Sequence, residues 1–140
     1  MKGVLLVISI VLLSFGFTHR KADPYRVAFD LTSRDSVDQA ATVRWIREVS
    51  TTSPDAEIEV VMYGKGFELV MPERSKALAD VQKYISNPKV SFKVCAIALK
   101  NNNISESQLV PGVKTVPDGI YELVSKQQQN WGYIKVSVSR

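Results

Sequence analysis

The chain is expected to fold as a three-layer α/β/α sandwich around a mostly parallel sheet of about five strands, and three observations lead there. Short apolar runs alternate along the chain with stretches of helical periodicity, the order in which strand–helix–strand units with parallel strands are written. The best of these runs, Ile58 to Met62, is nearly continuous in apolar character, as suits a strand covered on both faces. Turn-forming clusters of Asp, Asn, Ser, Gly and Pro punctuate the pattern at short intervals, with no internal repeat and no linker.

In chain order, residues 25–31 form the first expected strand, bounded by Pro24 and the polar cluster Thr32-Ser33-Arg34-Asp35. A helix follows, capped by Asp35 or Ser36, with Ala40, Val43, Ile46 and Val49 making its buried stripe. It ends before Pro54, because the residue preceding a proline is pushed out of helical angles. Residues 57–63 read as the second strand and Gly64-Lys65-Gly66 as a tight turn. Phe67 to Met71 reads as a short helix, packed on its own domain or set in an interface between subunits. A longer helix is expected over 75–86, where Ala77, Leu78, Val81, Tyr84 and Ile85 recur at i, i+3, i+4 spacing before Asn87-Pro88. Residues 90–95 are the third strand, 96–100 begin another helix, 105–109 make a helical turn and 113–116 a short fourth strand. Pro117-Asp118-Gly119 introduces the last helix, with Ile120, Leu123 and Val124 facing inward. Residues 133–138 form a final strand whose alternation of Tyr133, Lys135 and Ser137 against Ile134, Val136 and Val138 is that of an edge or half-covered strand.

The amino terminus carries a different signal. Lys2 is followed by a charge-free run over residues 3–17, the length of a signal-peptide core and short for a membrane span. Residues 1–21 are therefore expected to be an export signal and 22–140 a single domain, extracytoplasmic or periplasmic in location. An uncleaved anchor is the alternative, because Ser14-Phe15-Gly16 makes only a modest cleavage site and a short span is accommodated by tilt and bilayer thinning. Membrane contact is expected through this segment alone. About 120 residues remain after it, enough for one packed core.

Composition narrows the chemistry. The chain has net charge +4, but Lys2 belongs to the signal and the basic cluster Arg20, Lys21 and Arg26 lies next to it, and the remainder mixes both signs without a basic stripe interleaved with aromatics. Nucleic acid is not an expected partner. The only histidine, His19, lies outside the expected domain, which leaves a cysteine–histidine hydrolase without its base and offers no metal-ligand cluster. Gly64-Lys65-Gly66 lacks the spacing and the Lys-Ser/Thr pair of a phosphate loop. No metal and no cofactor is expected.

The one cysteine, Cys95, closes the third strand and precedes a helix. Backbone N–H groups and the positive end of a helix dipole stabilise a thiolate there, which makes Cys95 a candidate nucleophile. A lone cysteine is also a small apolar side chain, so a structural role stands beside the chemical one. With no second cysteine an internal disulfide is excluded. In such sheets the ligand crevice lies outside the carboxyl ends of the strands, where Cys95, Gly64-Lys65-Gly66 and Thr32-Ser33-Arg34 converge.

These residues resemble the DsrE/DsrF-like family, small α/β domains that include subunits of bacterial sulfur-relay complexes. The resemblance spans about residues 25–138 and rests on an ordered set: Glu59-Val60-Val61-Met62-Tyr63-Gly64-Lys65-Gly66, Val90-Ser91-Phe92-Lys93-Val94-Cys95-Ala96, Val116-Pro117-Asp118-Gly119-Ile120-Tyr121-Glu122-Leu123 and Trp131-Gly132-Tyr133-Ile134. It implies that Cys95 takes up a sulfane sulfur as a persulfide and passes it on, between a donor and an acceptor that the sequence does not name. Around it, Gly64, Lys65 and the backbone N–H groups of Ala96, Ile97 and Ala98 are the candidate binding groups, with Lys65 and Lys93 as sources of positive charge. The resemblance also implies a homo-oligomer, a trimer or a hexamer. Relay subunits of the family are cytoplasmic, whereas this chain begins with an export signal. A non-catalytic exported binding or assembly domain, with Cys95 structural, is thus the alternative function.

Overall fold

The structure is a computed structural model and describes residues 23–139; the expected export signal lies outside the described residues. Five strands form one parallel sheet in the order β4-β3-β2-β1-β5: β1 (Arg26–Leu31), β2 (Glu57–Met62), β3 (Val90–Cys95), β4 (Lys114–Val116) and β5 (Gly132–Lys135). The helices are α1 (Ser36–Thr52), α2 (Leu78–Ile85), α3 (Ala96–Asn101) and α4 (Gly119–Gln128), with short 3-10 segments at Gly66–Val70 and Glu106–Gln108.

Strand order decides which helix lies where. From β1 to β4 each connection steps the same way across the sheet, and right-handed crossovers then place α1, α2 and α3 on one face. The return from β4 to β5 runs the opposite way and puts α4 on the other. Burial agrees. Phe29, Leu31, Val60, Met62, Phe92 and Val94 point into the large core with Ile46 of α1, Val81 of α2 and Leu99 of α3. The opposite face holds a much smaller apolar cluster, Ala28, Val61 and Leu123, with Tyr63 and Trp131 packed against it.

Several elements depart from expectation for local reasons. Asp35 caps α1, its side chain accepting from Val37 N at 2.7 Å. The buried side of α1 includes Asp38, Gln39 and Thr42 as well as Val43 and Ile46, while Ala40 is exposed. Asp38 faces inward because it holds the carboxyl-terminal tail: its carboxylate accepts from Val138 N and Ser139 N at 2.8 and 2.9 Å and from the Ser139 hydroxyl at 2.6 Å. That capture draws the chain away from β1, so β5 stops at Lys135 rather than at 138. The second helix starts at Leu78, not 75, because the Ser75 hydroxyl accepts from Ala77 N and holds a turn there. Phe67, Leu69, Val70 and Met71 are 0–2% exposed, so the 3-10 segment packs on its own domain and offers no interface. In α4 only Leu123 of the expected inward trio is buried; Ile120 and Val124 are exposed.

Candidate functional site

Neighbouring strands β3 and β4 send their carboxyl-terminal connections to opposite faces of the sheet, β3 into α3 and β4 into α4. Such a divergence opens a crevice, the usual ligand position in an open α/β sheet. Here a pocket of about 270 Å³ lies at that point, lined by Cys95 and Ala98 together with Tyr63, Gly64, Asn102 and Ile120 among others. This volume is at the lower limit for small-molecule pockets.

Cys95 is the residue immediately before α3, with φ −66° and ψ 120°, and it is 4% exposed. The first N–H groups of a helix lack intrahelical partners, and those of Ala96, Ile97 and Ala98 begin directly beyond the thiol-bearing residue. The second helix to start here is α4, whose cap Asp118 accepts from Ile120 N at 2.8 Å and Tyr121 N at 3.4 Å. Gly119 lets that helix start sit on Cys95. A Cβ built at position 119 would lie 3.2 Å from Cys95 Cβ, 3.4 Å from Val61 Cγ1 and 3.5 Å from Tyr63 Cβ.

The turn after β2 completes the wall. Gly64 has φ +59°, a conformation that other residues adopt with strain. Gly66 is required by contact: a Cβ there would fall 2.0 Å from the Leu31 carbonyl oxygen. This pins the turn against the end of β1. Of the expected site residues, Gly64, Cys95, Ile97 and Ala98 line the pocket together, while Lys65 and Ala96 do not. The Lys65 ammonium donates to the Asn102 side chain, which in turn donates to the Ala98 carbonyl at 2.7 Å, so Lys65 braces the end of α3. Lys93 shares the sheet face of Cys95 but is committed elsewhere, to Glu122 at 2.7 Å and Glu59 at 2.9 Å.

Beyond Tyr63 lies a polar cluster centred on Asp30. Asp30, 3% exposed at the end of β1, accepts from the Tyr133 hydroxyl at 2.7 Å, the Tyr63 hydroxyl at 3.3 Å and the Lys135 ammonium at 3.0 Å. Lys135 also donates to Thr32 Oγ1 at 2.8 Å. The hydrogen bond to Asp30, with burial and the carboxylate's charge, pushes the Tyr133 phenol up to about 12. Burial and the same carboxylate raise Tyr63. Both phenols are thus held protonated, and Tyr63 is fixed as a wall of the thiol pocket. The one available signal was Asp30 itself, a carboxylate inside an otherwise apolar strand.

The model of the DsrE/DsrF-like family matches residues 27–136. The chain belongs to the DsrE/DsrF-like family. The fold of this family member also resembles that of MTH1491 from Methanobacterium thermoautotrophicum, a protein of unknown function. The TM-score is 0.75 at 26% identity, over 79% of this chain and 98% of the other. No curated protein matches the chain.

Proposed function

We propose that this DsrE-like domain is a sulfur carrier or sulfurtransferase that forms a persulfide on Cys95. The observation that carries this reading is the position of the chain's only cysteine in a small pocket at the divergence of β3 and β4, next to the first turn of α3. In the loading step the Cys95 thiolate attacks the outer sulfur of a donor persulfide; a new S–S bond forms, the donor's S–S bond breaks, and the donor leaves as its thiolate. In the unloading step an acceptor thiolate attacks that outer sulfur and Cys95 leaves as the thiolate. The pair of steps consumes no external oxidant or reductant.

Loading is read by incubating the folded protein with polysulfide and measuring its mass. A gain of about 32 Da on the peptide containing Cys95 is expected, and none in Cys95→Ser. The low exposure of Cys95 favours a second reading, a binding or assembly domain in which the thiol only packs. A thiol that alkylates only in denaturant supports that second reading. Export is proposed on the strength of Lys2 and the charge-free run that follows it. Amino-terminal sequencing of protein from the envelope fraction tests it: a chain that has lost its apolar amino-terminal run is expected, and an intact Met1 on a cytoplasmic protein contradicts it. An intact membrane-bound chain supports the anchor instead.

A further inference from the structure

The Cys95 pocket has one charged residue in its lining, Asp118, and the local structure holds that charge in place. Asp118 is the cap of α4, and both backbone bonds it accepts, from Ile120 N at 2.8 Å and Tyr121 N at 3.4 Å, fall on Oδ1. Gly119, the next residue, seats the start of α4 against Cys95, with only 3.2 Å between a Cβ built there and Cys95 Cβ. The carboxylate is thus tied to the wall of the pocket by the same helix start that brings the wall close to the thiol. Nothing basic pairs with it. Among the described residues Asp118 forms no salt bridge. Lys65, Lys93 and Lys135, toward the same ends of the strands, are engaged with Asn102, with Glu59 and Glu122, and with Asp30. The positive end of α4 offsets about half of one charge, which leaves the wall negative.

We propose that Asp118 is a specificity-determining residue of this pocket and turns away anionic sulfur donors, sulfur oxyanions such as thiosulfate above all. The inference rests on the persulfide reading of Cys95. In loading from thiosulfate the Cys95 thiolate would attack the sulfane sulfur; a new S–S bond forms, the bond to the central sulfur breaks, and sulfite leaves with the electron pair. That step brings a dianion to a thiolate beside a carboxylate. A donor persulfide whose outer sulfur is presented without a full charge escapes the repulsion. By Coulomb's law in near-aqueous surroundings, Asp118 slows a donor about threefold for each negative charge, and thiosulfate about tenfold. Salt at about 1 M shortens the screening length to about 3 Å and removes most of this.

Alkylation tests the charge without requiring any sulfur transfer. Cys95 in the native protein is treated with neutral iodoacetamide and with anionic iodoacetate at low ionic strength, each rate being divided by that of the same reagent on the urea-unfolded chain. The ratio of the two cancels the thiolate fraction, which both reagents sense alike. The preference for iodoacetamide is expected to be about threefold greater in the wild type than in Asp118→Asn, which keeps a capping oxygen and loses the charge. In about 1 M NaCl the difference is expected to vanish. Asp118→Ser, also neutral and also a cap, repeats the measurement if the asparagine variant folds poorly. Equal preferences in the wild type and the neutral variant overturn the inference, as does a difference that salt leaves intact. A native Cys95 that neither reagent reaches overturns it too, because no open thiol is then left to guard. Thiosulfate loading is expected to be about tenfold faster in Asp118→Asn, and a measurable but equal rate contradicts the inference. The expected alkylation pattern with no sulfur uptake from any donor, polysulfide included, defeats the persulfide reading and leaves the charge selection at Asp118 standing.

Discussion

Asp38 shows how one side chain ties distant parts of this chain together. Burial alone would raise its carboxyl, but the hydrogen bonds from Ser139 and Val138 outweigh that and hold it at about 2. A group lowered in the folded state contributes stability that is present above its unfolded value, near 3.9, and lost as pH falls through about 2. Asp38→Ala should therefore cost about 1–3 kcal/mol at neutral pH in urea titrations and flatten the acid limb of the stability profile. Tyr133 works at the other end of the scale. Raised to about 12, it contributes stability that is full below about 10 and lost as pH rises through 12. Tyr133→Phe should reduce the alkaline loss of melting temperature over that window and leave the acid limb unchanged. Neither role was readable beforehand. Asp38 registers in the sequence as an ordinary first-turn acid, because the residues it captures lie about 100 positions away.

At the scale of elements, apolar periodicity revealed the strands well and the exposed faces poorly. β1 and β2 are buried on both sides over most of their length, and continuous runs such as Val60-Val61-Met62 have no second interpretation in a domain of this size. α4 misled because Ile120, Leu123 and Val124 have helical spacing, which fixes a stripe but not the direction it faces. The direction was set by Glu59, buried at 2% exposure in the middle of β2 with Lys93 beside it, which draws Glu122 and Lys126 inward. Breaking that group exposes the cost of an under-compensated buried charge: Glu59→Ala, which leaves Lys93 and Lys126 to share Glu122 alone, should destabilise the domain by about 3 kcal/mol in denaturant titration. The turn after β2 is equally demanding. Gly66→Ala must displace the Leu31 carbonyl, so a loss of about 3 kcal/mol or non-folding is expected, against a small effect for a solvent-facing change such as Lys89→Ala.

Over the whole molecule, sheet order explains why the thiol is where it is. Three connections to one face and one to the other leave a single divergence between neighbouring strands, β3 and β4, and Cys95 stands at it. The sequence placed Cys95 at the end of the third strand, and with it Gly64, Ile97 and Ala98 at the same edge. It did not show that Lys65 and Lys93 are engaged elsewhere, because ion pairing depends on which face of a strand meets which helix. Sulfur transfer by this domain requires Cys95 to be reachable and reactive in the folded chain. Intact-mass measurement after brief polysulfide treatment, with and without denaturant, tests this most directly. The expected result is a gain of about 32 Da in the native protein, reversed by an added thiol and absent in Cys95→Ser. A native protein that stays unmodified, and gains the sulfur only once unfolded, would contradict it.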